Sequence, residues 1–127
     1  MTKERLQFGL SGEEAAVAFL KAHGYTILAR NFRSKMGEVD IIAKEKDTYC
    51  FVEVKSRRSD RFGVPSQALK GVKQRHIARA ALSFIKEKNL WDKKARFDVV
   101  CVQGAIDGTQ QIELIKNAFE LVGRFSY

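Results

Sequence analysis

Apolar and polar positions are patterned most clearly in two stretches, Gly37–Lys44 and Thr48–Lys55, separated by the polar Glu45-Lys46-Asp47. Short runs rich in β-branched and aromatic residues on either side of a polar break predict the two strands of a hairpin. Each run sets an acid in apolar surroundings, Asp40 in the first and Glu53 in the second, with Lys55 two places on. Side chains alternate along a strand, so Phe51, Glu53 and Lys55 share one face while Cys50, Val52 and Val54 share the other. A four-residue loop over Glu45–Thr48 sets Lys44 opposite Tyr49 and Asp40 opposite Glu53. The carboxylates then stand roughly 5 Å apart at Cβ. Like charges that close destabilise a sheet unless a cation lies between them, and either Lys55 or a divalent ion would serve. The plain alternative is a salt bridge between Lys55 and one acid. A slip of one residue would undo the pairing.

The rest of the chain supplies two helices and three further strands. A first helix over Gly12–His23 is marked by Ser11 and Glu14 as a capping box and by Gly24 as its stop. Helical spacing makes Ala16, Phe19, Leu20 and His23 its buried stripe. Glu13 precedes Ala16 and Leu20 by three and seven positions, at the edge of that stripe. A functional role for it and a favourable acid in a first turn have equal weight. Glu14 is assigned to the cap, and His23 to capping or packing. Tyr25–Phe32 reads as a strand ending among Arg30, Asn31 and Arg33, and Glu38 shares a face with Asp40.

After Lys55 comes an irregular basic loop with Arg57, Arg58, Arg61, Gly63 and Pro65. A second helix over Val72–Lys88, with Asn89 as its stop, buries Ile77, Ala80, Ala81 and Phe84. Lys73 lies on the core-facing stripe at the helix N-terminus, where the dipole disfavours a cation. It therefore calls for an anion, unless its stem snorkels outward. Gln74, Arg75 and Arg79 face outward. Phe97–Val102 and Ile112–Ile115 are strands flanking an Asp107-Gly108 turn, and Asp98 is expected to cap or pair with Arg96. A closing segment holds Ala118, Phe119 and Leu121. The order αβββαββ predicts an α/β fold: one domain over residues 1–127, with a central mixed sheet of five strands flanked by helices.

Composition narrows the function. A chain of 127 residues with 45% apolar side chains and one Pro is globular, with a real core. The charged start, Met1–Arg5, has no apolar run after it, so neither a signal peptide nor a membrane span is expected, and a cytoplasmic location is expected. Cys50 and Cys101 fall in apolar strand patterns and read as small hydrophobes in a reducing compartment. Two His and no Cys-x-x-Cys make a zinc site a poor fit. A net charge of +8 suits a polyanion, and no membrane, as partner. The cations gather at Arg30–Lys35, Lys55–Arg61, Lys70–Arg79 and Lys93–Arg96, two of these groups following the acidic hairpin.

Asp40 followed by Glu53-Val54-Lys55, between two helices in this order, resembles the PD-(D/E)XK nuclease superfamily. Nearly the whole chain is similar to the YraN-like family of small bacterial proteins, which are expected to be endonucleases. The resemblance rests on Gly12-Glu13 with Ala16, Gly24-Tyr25, Asn31, Gly37-Glu38-Val39-Asp40, Phe51-Val52-Glu53-Val54-Lys55, Lys73, Arg96-Phe97-Asp98 and Asn117-Ala118-Phe119. Val39 stands where the superfamily's name has Pro. The resemblance implies a restriction-endonuclease-like fold and metal-assisted phosphodiester hydrolysis. In that scheme Asp40 and Glu53 hold Mg²⁺ or Mn²⁺, Lys55 orients water or steadies charge, and Glu13 is a catalytic residue that binds the ion through water or supports the site. Arg57, Arg58, Lys70, Lys73 and Arg75 would grip nucleic acid, DNA in preference to RNA and in branched form as well as linear. Its relatives among archaeal Holliday-junction resolvases imply a homodimer. Two further expectations stand beside this one: a nucleic-acid-binding module with a vestigial site, and a protein-interaction scaffold whose hairpin charges neutralise one another.

Overall fold

The computed structural model describes residues 2–58, 74–104 and 109–119. Five strands form a single sheet in chain order: β1 (Tyr25–Arg33), β2 (Glu38–Glu45), β3 (Thr48–Arg58), β4 (Lys94–Gly104) and β5 (Gln110–Phe119). Neighbours pair antiparallel except β3 and β4, which run parallel. A parallel pair needs a crossover, and α2 (Gln74–Lys88) lies between the two strands in the chain. α1 (Thr2–Ala22) precedes the sheet. The expected order and mixed sheet are both present. No helix among the described residues is long and apolar enough to cross a membrane.

Strand alternation divides the core in two. Ala16, Val17 and Leu20 of α1 pack with Ile41, Ala43, Cys50, Val52, Val100 and Val102 on one face. Ile77, Ala80, Ala81 and Phe84 of α2 pack with Ile42, Phe51, Phe97 and Val99 on the other. All four residues expected to form the buried face of α2 do so. The rings of Phe32 and Phe51 meet Phe84 edge-on, with centroids 5.6 and 6.0 Å away. Glu53 and Lys55, in step with Phe51, belong to the α2 face, and they are set on the central strand.

Several expectations are corrected. α1 begins at Thr2, so Ser11 is an interior residue and not an N-cap. The preceding Lys, Glu, Arg, Leu and Gln are good helix formers, and no Pro interrupts them. Val17 is buried in α1, whereas Phe19 is half-buried and His23 is exposed. His23 lies just past the helix, where its Nδ1 bonds the Phe19 carbonyl at 2.8 Å and its ring stacks on Phe19. Gly12 decides the roll of α1, because a Cβ there would meet the Ser56 side chain on β3.

The hairpin turn is also tighter than four residues. Glu45 pairs with Thr48 in the ladder, leaving Lys46-Asp47 as the turn, with Lys46 in the left-handed region at φ 55°. The register is unchanged, with Lys44 opposite Tyr49 as expected. β4 and β5 extend beyond the expected Phe97–Val102 and Ile112–Ile115. β5 takes in Ala118 and Phe119, whose ring stacks on Phe97 at 4.7 Å. Asn89 ends α2 in the left-handed conformation, at φ 56°. Val72, Lys73, the Asp107-Gly108 turn and Leu121 lie outside the described residues.

Gly37 fixes where α2 begins relative to β2. A methyl there would overlap the His76 carbonyl in the first turn of α2. Gly37→Ala is therefore expected to cost about 1–3 kcal/mol, the range for overpacking. Gly12→Ala should cost less, because the Ser56 hydroxyl can rotate away and Ala favours the helix. Denaturant unfolding of the two variants checks the order, and equal losses would contradict this account of the packing.

Candidate active site

The site forms where β2 and β3 run out of ladder. The ladder ends with Ile41 opposite Val52, so the next step sets Asp40 against Glu53. Here the Asp40 carboxylate replaces the ladder and accepts a hydrogen bond from the Val54 backbone N–H at 2.8 Å. That bond ties Asp40 to the backbone between Glu53 and Lys55. The Glu53 carboxyl is pushed up from 4.5 to about 7, first by burial and then by the charge of Asp40 and a hydrogen bond shared with it. Lys55 pulls the other way, and Glu38 adds a weaker push in the same direction as Asp40. Lys55 Nζ stands 3.9 Å from Glu53 Oε2, a loose contact between side chains 25% and 21% exposed. Three charged groups therefore converge on the α2 face with limited access to water.

A cation fits this arrangement. Two carboxylates held this close can share a divalent ion, and Mg²⁺ commonly takes one or two carboxylates while keeping several waters. Among the described residues no group of three or more His, Cys, Asp or Glu side chains is placed to hold a metal. An ion held by the pair alone would leave most of its coordination positions to water.

Glu13 has a different set of partners. Its Oε1 accepts from Arg30 Nη2 at 2.9 Å and from Asn31 Nδ2 at 3.3 Å, while Arg30 also reaches Glu14 at 3.6 Å. Asn31 holds a left-handed φ of 52°, so a strained residue in β1 aims its amide at Glu13. Glu13 braces α1 against β1 and does not join Asp40 and Glu53 in one cluster. Glu38 is exposed, 3.8 Å from Arg33. Arg57 is half-buried opposite Gln103, and Arg58 closes β3. Arg75 is exposed in the first turn of α2, beside the β1–β2 connection that Gly37 packs beneath it. Lys70 and Lys73 lie outside the described residues.

A second charged cluster occupies the α1 face at the other end of the strands. Asp98, fully buried at 0% exposure, accepts from Arg96 Nε at 3.0 Å, Tyr25 Oη at 3.2 Å and the Asn117 N–H at 2.9 Å. Arg96 Nη2 continues to Tyr25 Oη at 2.8 Å and to Glu45 at 2.6 Å, and Glu45 also takes Lys116 at 2.9 Å. The expected Asp98–Arg96 pair is present, within a larger network joining β1, β2, β4 and β5. Burial and Asp98 drive the Tyr25 phenol far above its usual range. No buried side-chain polar atom among the described residues lacks a partner, so this cluster reads as a rivet and not as a reactive centre. Burial likewise pushes the Cys50 thiol up to about 12, which suits a packing residue.

Fold and site together define an α/β domain whose second and central strands bring a semi-buried carboxylate pair together beside a lysine. The chain belongs to the family described as Uncharacterised protein family UPF0102, whose model matches residues 12–102. A UPF0102 protein of Desulfosudis oleivorans is 50% identical over 120 residues, covering 94% of this chain and 95% of the relative. Those of Caldicellulosiruptor saccharolyticus and Syntrophus aciditrophicus are 54% and 48% identical, covering 89% and 93% of this chain and 97% and 92% of theirs.

Proposed function

We propose that this protein is a divalent-metal-dependent endonuclease that hydrolyses phosphodiester bonds in DNA. The observation that carries the reading is the convergence of Asp40, Glu53 and Lys55 at the end of the β2–β3 ladder. A bound Mg²⁺ or Mn²⁺ would supply Lewis-acid polarisation of the phosphate and a water of lowered pKa. Asp40, pinned by the Val54 N–H, offers its remaining lone pairs to the ion. Glu53 offers a carboxylate that gives up its proton near pH 7. Lys55 holds a positive charge where negative charge develops on the phosphate, or orients the attacking water. Glu13 keeps α1 and β1 in place around the site. Arg57, Arg58 and Arg75, with Lys70 and Lys73, would bind backbone phosphates in a salt-dependent way.

The test is incubation with labelled linear, flapped and four-way-junction DNA, with Mg²⁺ or Mn²⁺ and with chelator. Metal-dependent scission is expected, weakening steeply as salt rises. Salt-sensitive binding without scission under any metal would leave a nucleic-acid-binding module instead. Absence of binding at low salt would favour a scaffold.

A further inference from the structure

The proposed chemistry makes no use of the connection between β1 and β2, which is built more firmly than a surface link requires. The Ser34 backbone N–H donates to the Gly37 carbonyl at 2.9 Å, and the Ser34 hydroxyl donates to the same oxygen at 3.3 Å. That hydroxyl also accepts from the Met36 and Gly37 N–H groups, each at 3.2 Å. From beneath, Gly37 rests on the His76 backbone of α2. The turn is thus closed on itself and braced by a helix. At its tip Met36 is 55% exposed, and the neighbouring Lys35 is exposed as well. Arg33, 76% exposed, has only a 3.8 Å contact with Glu38, which a phosphate could readily replace.

A long, soft apolar side chain, more than half exposed and preceded in the turn by Arg33 and Lys35, adds little to the core. We infer that Met36 is a wedge that enters the base stack of bound DNA beside the carboxylate pair, while Arg33 and Lys35 hold the flanking phosphates. The inference rests on the nucleic-acid reading above and adds to it a distortion of the duplex. Met is among the side chains that unstack base steps in this way, and flanking cations are the usual companions of such wedges. Four extended residues from Met36 to Asp40 span at most about 14 Å. At about 3.4 Å per step, the unstacked position lies within roughly four steps of the phosphate held at Asp40 and Glu53.

The experiment places 2-aminopurine at successive positions of a duplex and reads its fluorescence on binding, in chelator so that no strand is cut. Saturating parent protein should raise the signal at one or two adjacent positions. Met36→Ala should bind with a modest loss of affinity and lose the rise, and Met36→Leu should keep it. No rise with saturating parent, or an equal rise with Met36→Ala, would overturn the wedge. Adding Mg²⁺ or Mn²⁺ to unmodified duplex separates the two readings. Cutting without a Met36-dependent rise removes the wedge and leaves the nuclease. A Met36-dependent rise without cutting supports the wedge and removes the nuclease. Failure to bind DNA removes both.

Discussion

Glu53→Gln is expected to cut DNA slower than the parent by roughly 10²–10³-fold or more, the scale for losing one group that stabilises transition-state charge. The same variant should fold at least as stably as the parent above neutral pH. In the folded protein the Glu53 carboxyl is raised from 4.5 to about 7. A raised carboxyl means that the native state holds its proton more tightly than the unfolded chain. Its contribution to stability is therefore complete below about 4.5 and is lost as pH rises through about 7. Above that point the parent keeps two like charges together at a cost of roughly 1–3 kcal/mol, which Gln avoids. Parent stability should fall across this window while the variant's stays nearly flat. Because a metal ion bound at the pair would have to displace the Glu53 proton, thermal stabilisation by Mn²⁺ should grow over the same window in the parent and be small in Glu53→Gln. A variant that is destabilised above neutral pH, or that cuts as well as the parent, would contradict this account of the pair.

Asp98→Ala is expected to destabilise the protein by about 3–5 kcal/mol, the cost of removing one partner from a buried ion pair. The side chain is fully buried and accepts hydrogen bonds from Arg96, Tyr25 and Asn117. Without it the Arg96 guanidinium keeps Glu45, but the Tyr25 hydroxyl and the Asn117 N–H lose an acceptor. The effect should fall on β1 and β5 alike, since the network joins both edges of the sheet. Asp98→Asn retains shape and one acceptor and should cost less. Denaturant midpoints read the difference, and a loss below about 1 kcal/mol for Asp98→Ala would mean that the network is no rivet.

Much of the site was legible because it is local. Asp40, Glu53 and Lys55 lie on two strands joined by one turn, and alternation alone assigns their faces. The register survived an error in the loop, because a two-residue turn with Glu45–Thr48 paired and a four-residue loop set the same residues opposite each other. Glu13 shows the limit of periodicity. Its inward direction was readable, but the partner that claims it, Arg30, lies across a contact set by the packing of α1 on β1. The start of α1 was misplaced because Ser11-x-x-Glu14 is consistent both with a cap and with two polar positions inside a longer helix. The Asp98 network left only a trace, the pairing of Arg96 with Asp98 two places on. Tyr25 and Asn117 reach it from distant parts of the chain, and only the completed sheet brings them there. Nothing in the sequence marks Met36, because its setting depends on the packing of Gly37 against His76 across the fold.

The most direct test of the central claim compares parent and Asp40→Asn in one cleavage assay with Mg²⁺ or Mn²⁺. Asn can still accept from the Val54 N–H, so fold and DNA affinity should persist while metal-dependent cutting disappears. A folded, DNA-binding Asp40→Asn protein that cuts as fast as the parent would show that the carboxylate pair is not the catalytic centre.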